Sequence, residues 1–121
     1  MKFDPECVKA ILQAYEDLPV YNENTDLGLA KYSDEVLFHH QLLLGDENYI
    51  LFKNISNQSD PFCLLPIRIT MKGQEFLNAS RNKDGWQKVR SASAKAGGFV
   101  LSVASDILKE YLKEQLSKMI L

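Results

Sequence analysis

Apolar residues along this chain change spacing several times, and each change marks an element. Val8, Ile11, Leu12 and Tyr15 recur at three- and four-residue intervals behind Asp4-Pro5, an N-cap followed by proline at the first helical position. They predict a helix to about Leu18, ended by Pro19. Val20 to Asp26 is polar and Asn-rich, a loop by composition, and Leu27-Gly28-Leu29 alternates as a short edge strand would. Ser33 then caps a second helix, with Asp34 and Glu35 placed favourably at the positive end of its dipole. Its expected buried face is Val36, Leu37, His40, Leu43 and Leu44, and Gly45 is the expected left-handed residue after its end.

The period then falls to two. Tyr49 to Asn54 and Leu64 to Thr70 read as paired strands around a polar loop, Ile55 to Cys63, whose tip is expected to be mobile. Alternation places Ile67 and Ile69 on one face of the second strand, Arg68 and Thr70 on the other. Thr70 or Met71 opens the next helix, with Phe76, Leu77 and Ala79 inward. After a polar break from Arg81 to Gly85, Trp86 and Val89 mark a fourth helix, and Gly97-Gly98 forms a hinge. The last helix, Phe99 to Leu121, is roughly 33 Å long at 1.5 Å per residue, more than a small core needs. It carries two adjoining apolar stripes: Leu101, Ala104, Leu108 and Tyr111, and beside them Val100, Val103, Ile107 and Leu112. The second stripe faces water unless other helices of the chain or a second copy covers it, so a homodimer through Phe99–Leu121 is expected.

Helix, two-stranded ribbon, helix is the skeleton of a winged helix. The expected fold is therefore α+β and mainly helical: a winged helix with a two-stranded wing and a C-terminal helical extension. One domain spans 1–121, with its core in 1–80 and the extension in 81–121. One part is missing. A helix-turn-helix reader of DNA has two helices between the first helix and the wing. Here only the Ser33 helix is convincing, because Ala30 to Tyr32 is too short to brace it.

Composition narrows the function classes. At 121 residues, 45% hydrophobic and 25% charged, the chain suits one modest core and is not a disordered tail. No apolar run approaches the roughly 20 residues of a membrane span, and the start, Met-Lys-Phe-Asp-Pro-Glu-Cys, has no apolar leader segment. Cys7 and Cys63, far apart and without metal-ligand spacing to any His, read as reduced thiols of a cytoplasmic protein. The net charge of −2 conceals an asymmetry: residues 1–66 carry four basic against eleven acidic side chains, and residues 67–121 ten basic against five acidic. Either a polyanion is drawn to the second half or the two halves attract each other, within one chain or across a dimer.

The residues so placed also resemble a known family. Tyr32-Ser33-Asp34-Glu35 opens a helix containing His40 and Leu43-Leu44, and Ile69-Thr70-Met71-Lys72-Gly73-Gln74-Glu75-Phe76-Leu77 precedes Arg81 and Trp86-Gln87-Lys88-Val89. Together with Gly97-Gly98, this pattern is similar to a family of uncharacterised bacterial and phage winged-helix proteins known only as a domain of unknown function. The family block usually has leucine, threonine and an aromatic residue where this chain has Ile69, Thr70 and Met71. The resemblance implies a winged-helix fold and a mobile-element setting, and it implies no catalytic residue.

No nucleophile elbow, Gly-rich phosphate loop or spaced carboxylate pair appears, so no enzyme, cofactor or small-molecule substrate is expected. His40 falls on the apolar stripe, where a hydrogen-bonded structural role outweighs metal ligation. Two binding readings remain. In the first, a regulatory DNA-binding-like module grips duplex DNA weakly by its backbone through Arg68, Lys72, Arg81, Lys83, Lys88 and Arg90. In the second, the outer face of the Ser33 helix binds a protein partner: Asp34, Glu35, Phe38, Gln41 and Leu42 offer carboxylates and apolar anchors and no permanent cation. Packing of Phe38 and Leu42 on the chain's own C-terminal helices is the competing explanation.

Overall fold

The computed structural model describes residues 2–120 and contains, in chain order, α1 (Pro5–Glu16), α2 (Asp34–Asp46), β1 (Ile50–Asn54), β2 (Leu64–Ile69), α3 (Met71–Ser80), α4 (Lys83–Ala96) and α5 (Leu101–Ile120). The protein is thus α+β and mainly helical, with five helices and one two-stranded antiparallel sheet. Local capping chemistry sets the helix starts. Asp4 accepts from the Glu6 amide, Ser33 from Val36, Thr70 from Gly73 and Asn82 from Gly85. The Asn82 cap begins α4 at Lys83, inside the stretch expected to be a break. Leu121 and the side chain of Ile120 lie outside the described residues.

α1 occupies the centre. Cys7, Val8, Ile11, Leu12 and Tyr15 are buried on its inner face, and the same cluster takes in Leu44, Tyr49 and Ile50, Phe76 and Leu77, Trp86 and Val89, and Leu101, Ala104 and Leu108. α2 is locked onto α1 by two polar contacts. The Asp4 amide donates to Nε2 of fully buried His40 at 2.9 Å, and Nδ1 lies 2.8 Å from the Val36 carbonyl. An amide N–H can only donate, so Nε2 is the bare nitrogen and Nδ1 carries the proton. From the next residue of α2, Oε1 of Gln41 accepts from the Tyr15 hydroxyl at 2.6 Å, near the other end of α1.

Several expectations fail, each for a tertiary reason. Gly45 is not the left-handed residue: α2 runs on to Asp46, and the positive φ falls at Asn48, at 62°. A Cβ on Gly45 would stand 2.6 Å from the Phe52 ring, so close packing on β1 explains this glycine. Leu43, expected inward, is 43% exposed, because His40 and Gln41 take the α1 side of the helix. Leu27 to Leu29 forms no strand among the described residues. Its alternation finds no edge to pair with, and the chain turns there with the Tyr32 amide donating to the Leu29 carbonyl. In β2 the register slips: Leu51 pairs with Arg68 and Phe52 with Pro66, leaving Ile67 as the extra residue of a bulge. Ile67 therefore turns outward beside Arg68, 53% exposed, while Ile69 packs against the core.

Asn48 and Thr70 join the ribbon to α3. The Thr70 hydroxyl accepts from Gly73 and donates to the Asn48 carbonyl, while the Thr70 amide donates to the Tyr49 carbonyl. The first turn of α3 is thereby pressed against Tyr49, and a Cβ on Gly73 would come within 2.1 Å of the Tyr49 carbonyl oxygen. The nearest obstacle is backbone and not the end of a flexible side chain, so it cannot readily give way. Gly73→Ala is expected to lower stability by on the order of 2–3 kcal/mol in urea denaturation, whereas Gly98→Ala, with open space around it, changes far less.

Candidate interaction surfaces

The basic residues of the second half do not assemble into one surface. Arg81 turns back onto α1, with its guanidinium 2.5 Å from Glu16 and 2.7 Å from Gln13. Arg90 reaches Glu6 at 3.3 Å. Lys72 lies 4.0 Å from Glu47 and over the Tyr49 ring, and Lys88 over the Tyr111 ring, each at 4.9 Å from the centroid. Arg68 donates to the Ile69 carbonyl on its own strand. Lys83, exposed at the start of α4, makes no ion pair among the described residues. The charge asymmetry is therefore met in part within the chain, where three acidic residues of the first half pair with three basic residues of the second.

The outer face of α2 is organised differently. Phe38 packs neither on the C-terminal helices nor freely in solvent. Its ring meets Phe62, from the β1–β2 loop, edge-on at 5.5 Å, and His39 lies 5.5 Å from Phe38 and 6.3 Å from Phe62. That loop is tied internally: Ile55 donates to the Cys63 carbonyl, Asn57 and Asp60 exchange backbone hydrogen bonds, and Ser56 bridges to Cys63. Between α2, the loop and residues 25–27 lies a pocket of about 330 Å³, with Leu37, Phe38 and Phe62 among its apolar walls and Asp26, Asp34 and Asp60 among its polar ones. Among the described residues no cation lines it, and none of the three carboxylates forms an ion pair. Asp34 and Glu35 are exposed, and Leu42 is half-buried. Gln41 is a correction: it is only 6% exposed and spends its side chain on Tyr15 and the Leu37 carbonyl, so it braces the face instead of presenting on it.

Asp26, Asp60 and Phe62 were not among the residues expected here. Phe62 carried a usable signal, as an aromatic residue in an otherwise polar turn.

On α5 the first apolar stripe, Leu101, Ala104, Leu108 and Tyr111, is buried, and Ile107 packs against the core. Val100 and Val103 remain about half exposed, and along the second half exposure rises from Leu112 at 37% through Leu116 at 57% to Met119 at 80%. An apolar groove of about 450 Å³ opens between α3 and α5, floored by Tyr49, Phe76, Ala79, Leu108 and Leu112 and rimmed by Lys72, Glu75 and Lys109.

Neither thiol is activated. Burial pushes Cys7 up to about 12, and burial together with Asp60 raises Cys63. Burial also raises Tyr15 above its ordinary 10 and keeps it a hydrogen-bond donor. Among the described residues no group of three His, Cys, Asp or Glu side chains could hold a metal ion, and no helix is long and apolar enough to cross a membrane.

The arrangement defines a small helix–ribbon–helix protein with an acidic-aromatic pocket beside the ribbon. Residues 2–99 match the family described as "Hypothetical protein (DUF2513)", and the chain belongs to that family. α5 lies beyond the matched residues. No curated protein and no solved structure matches the chain.

The Arg81 clamp makes a pH prediction. Hydrogen bonds from Arg81 and then Gln74 lower the Glu16 pKa below its ordinary 4.5. The folded state thus keeps a carboxylate that the unfolded chain protonates at higher pH. Its contribution is present above the ordinary value and lost as pH falls through the lower, folded one. Denaturation of the wild type and Glu16→Gln should show the wild type more stable at about pH 7 and the gap narrowing as the pH falls below the ordinary 4.5. A gap that is unchanged in acid would contradict the assignment.

Proposed function

We propose that this chain is a non-catalytic protein-interaction module on a winged-helix frame, and that the pocket between α2 and the ribbon loop receives a cationic side chain of a partner protein. One observation carries the reading: three carboxylates and two phenyl rings line one pocket with no cation among the described residues to neutralise them. Aromatic rings attract a guanidinium or ammonium by about 0.5–2 kcal/mol, and flanking carboxylates add charge-assisted hydrogen bonds. The order of two helices, a two-stranded ribbon and a further helix supports the winged-helix frame, and two free thiols support a reducing, cytoplasmic setting. A phage or mobile-element context, implied by the resemblance, belongs to the same reading.

The geometry favours this adaptor over the DNA-binding-like module. Arg81 and Arg90 are engaged with Glu16 and Glu6, and α2 would bring Asp34 and Glu35 towards phosphates. No helix stands between α1 and α2 among the described residues to brace a reading helix.

Titration with a short peptide of alternating arginine and leucine tests the proposal, beside a random-sequence DNA duplex, at about 0.15 M salt. The peptide is expected to bind, and Phe38→Ala or the pair Asp34→Asn and Asp60→Asn is expected to weaken it about tenfold or more. DNA is expected to bind weakly and to be released by salt. A tight, sequence-selective DNA complex at that salt, or peptide binding indifferent to these substitutions, would overturn the proposal.

A further inference from the structure

The pocket's complement is present on the chain itself. Lys109, Leu112, Lys113 and Leu116 stand at i, i+3, i+4 and i+7 on α5 and form one strip, with Met119 continuing its apolar edge. Leu112, Leu116 and Met119 are exposed, Lys113 is exposed, and neither lysine makes an ion pair among the described residues. The acidic residues of this helix, Asp106, Glu110 and Glu114, recur every four residues and follow a neighbouring strip. The exposed strip is therefore apolar and basic, whereas the α2–loop pocket is aromatic and acidic.

The two cannot satisfy each other within one molecule as folded. α2 packs on α1 and β1, α5 packs on α3 and α4, and no α5 residue lines the pocket. We infer that a second copy of this chain is a ligand of the pocket: the Lys113 ammonium of one copy enters among Asp26, Asp34 and Asp60 of the next, and Leu112 and Leu116 pack on Phe38 and Phe62. The inference rests on the proposed role of the pocket as a cation receptor. Because donor and acceptor are different surfaces, the contact is heterologous and repeats head to tail, unlike the two-fold α5–α5 dimer expected from hydrophobic spacing. It also joins a pocket within the family-matched residues to a helix outside them.

Sedimentation of the full chain tests this, with two neutralised forms, Asp34→Asn/Asp60→Asn and Lys109→Gln/Lys113→Gln. All four positions are helix-surface or loop residues whose charges hold no ion pair among the described residues. At about 0.05 M salt the wild-type mass should rise with concentration beyond that of a dimer and return towards the monomer at about 0.5 M. Each neutralised form should stay monomeric alone, and an equimolar mixture should stop at a one-to-one pair of about 28 kDa, twice the 13.8 kDa chain. A wild type that is monomeric throughout, or a dimer that survives both pairs of substitutions, would overturn the inference, the latter in favour of α5 against α5. The arginine–leucine peptide separates the two failures. If it still binds the pocket of a monomeric wild type, only self-association is lost. If it does not bind, the cation-receptor reading falls as well.

Discussion

His40 and Gln41 hold α2 against α1 through hydrogen bonds that neither helix could make alone. The Asp4 amide finds its acceptor in the His40 ring, and the Tyr15 hydroxyl finds its acceptor in Gln41, all within an otherwise apolar core. Leaving such a buried group unpaired costs about 1–3 kcal/mol, so rotation of α2 about its axis is strongly penalised. With those two side chains facing α1, Asp34 and Phe38, seven and three residues before Gln41, fall on the flank beside it, where Gln41 also lines the pocket. The ribbon loop then supplies Phe62 and Asp60 to meet them. The orientation of the acidic-aromatic pocket is thus tied to the polar lock beside it, since Gln41 belongs to both.

Charge follows a related logic. Eleven acidic residues in the first half and ten basic ones in the second suggest a polyanion-binding surface when counted along the chain. In three dimensions the halves interleave, because α1 is packed by α3 and Trp86 of α4 hydrogen-bonds to Glu6. Glu6 and Glu16 on α1 consequently meet Arg90 and Arg81. Exposed pairs of this kind contribute little to stability, because solvent and salt screen them. Their larger consequence is functional, since a guanidinium engaged with a carboxylate is poorly placed to grip phosphate. Among the described charges left without an ion pair are Asp26, Asp34 and Asp60 beside α2 and Lys109 and Lys113 on α5, on separate parts of the molecule.

α5 closes the core and overreaches it. Its first half covers the faces of α3 and α4 with Leu101, Ala104 and Leu108, and its second half leaves Leu116 and Met119 bare. The family match ends before this helix. The acidic-aromatic pocket and the exposed apolar end of α5 therefore lie in different parts of the sequence.

Much of the fold was legible because its causes are local. Asp4, Ser33 and Thr70 cap their own helices, Pro19 cannot continue one, and apolar spacing of three and four places Val8, Ile11, Leu12 and Tyr15 on one side whatever packs there. The candidate site was only half legible. Asp34 and Phe38 could be placed outward from the helical period, but their neighbours Asp60 and Phe62 come from a loop more than twenty residues further on, and no periodicity connects them. Where expectation failed, a distant group decided. Tyr15 drew Gln41 inward, the Phe52 ring required Gly45, and the β1–β2 register turned Ile67 out. The sequence by itself determined the five helices and the two ribbon strands, though not the fate of Leu27–Leu29, because capping and period act over a turn or two. Only the tertiary structure decided which charges are consumed within the chain and which stay available, because that depends on contacts between residues as far apart as Glu6 and Arg90.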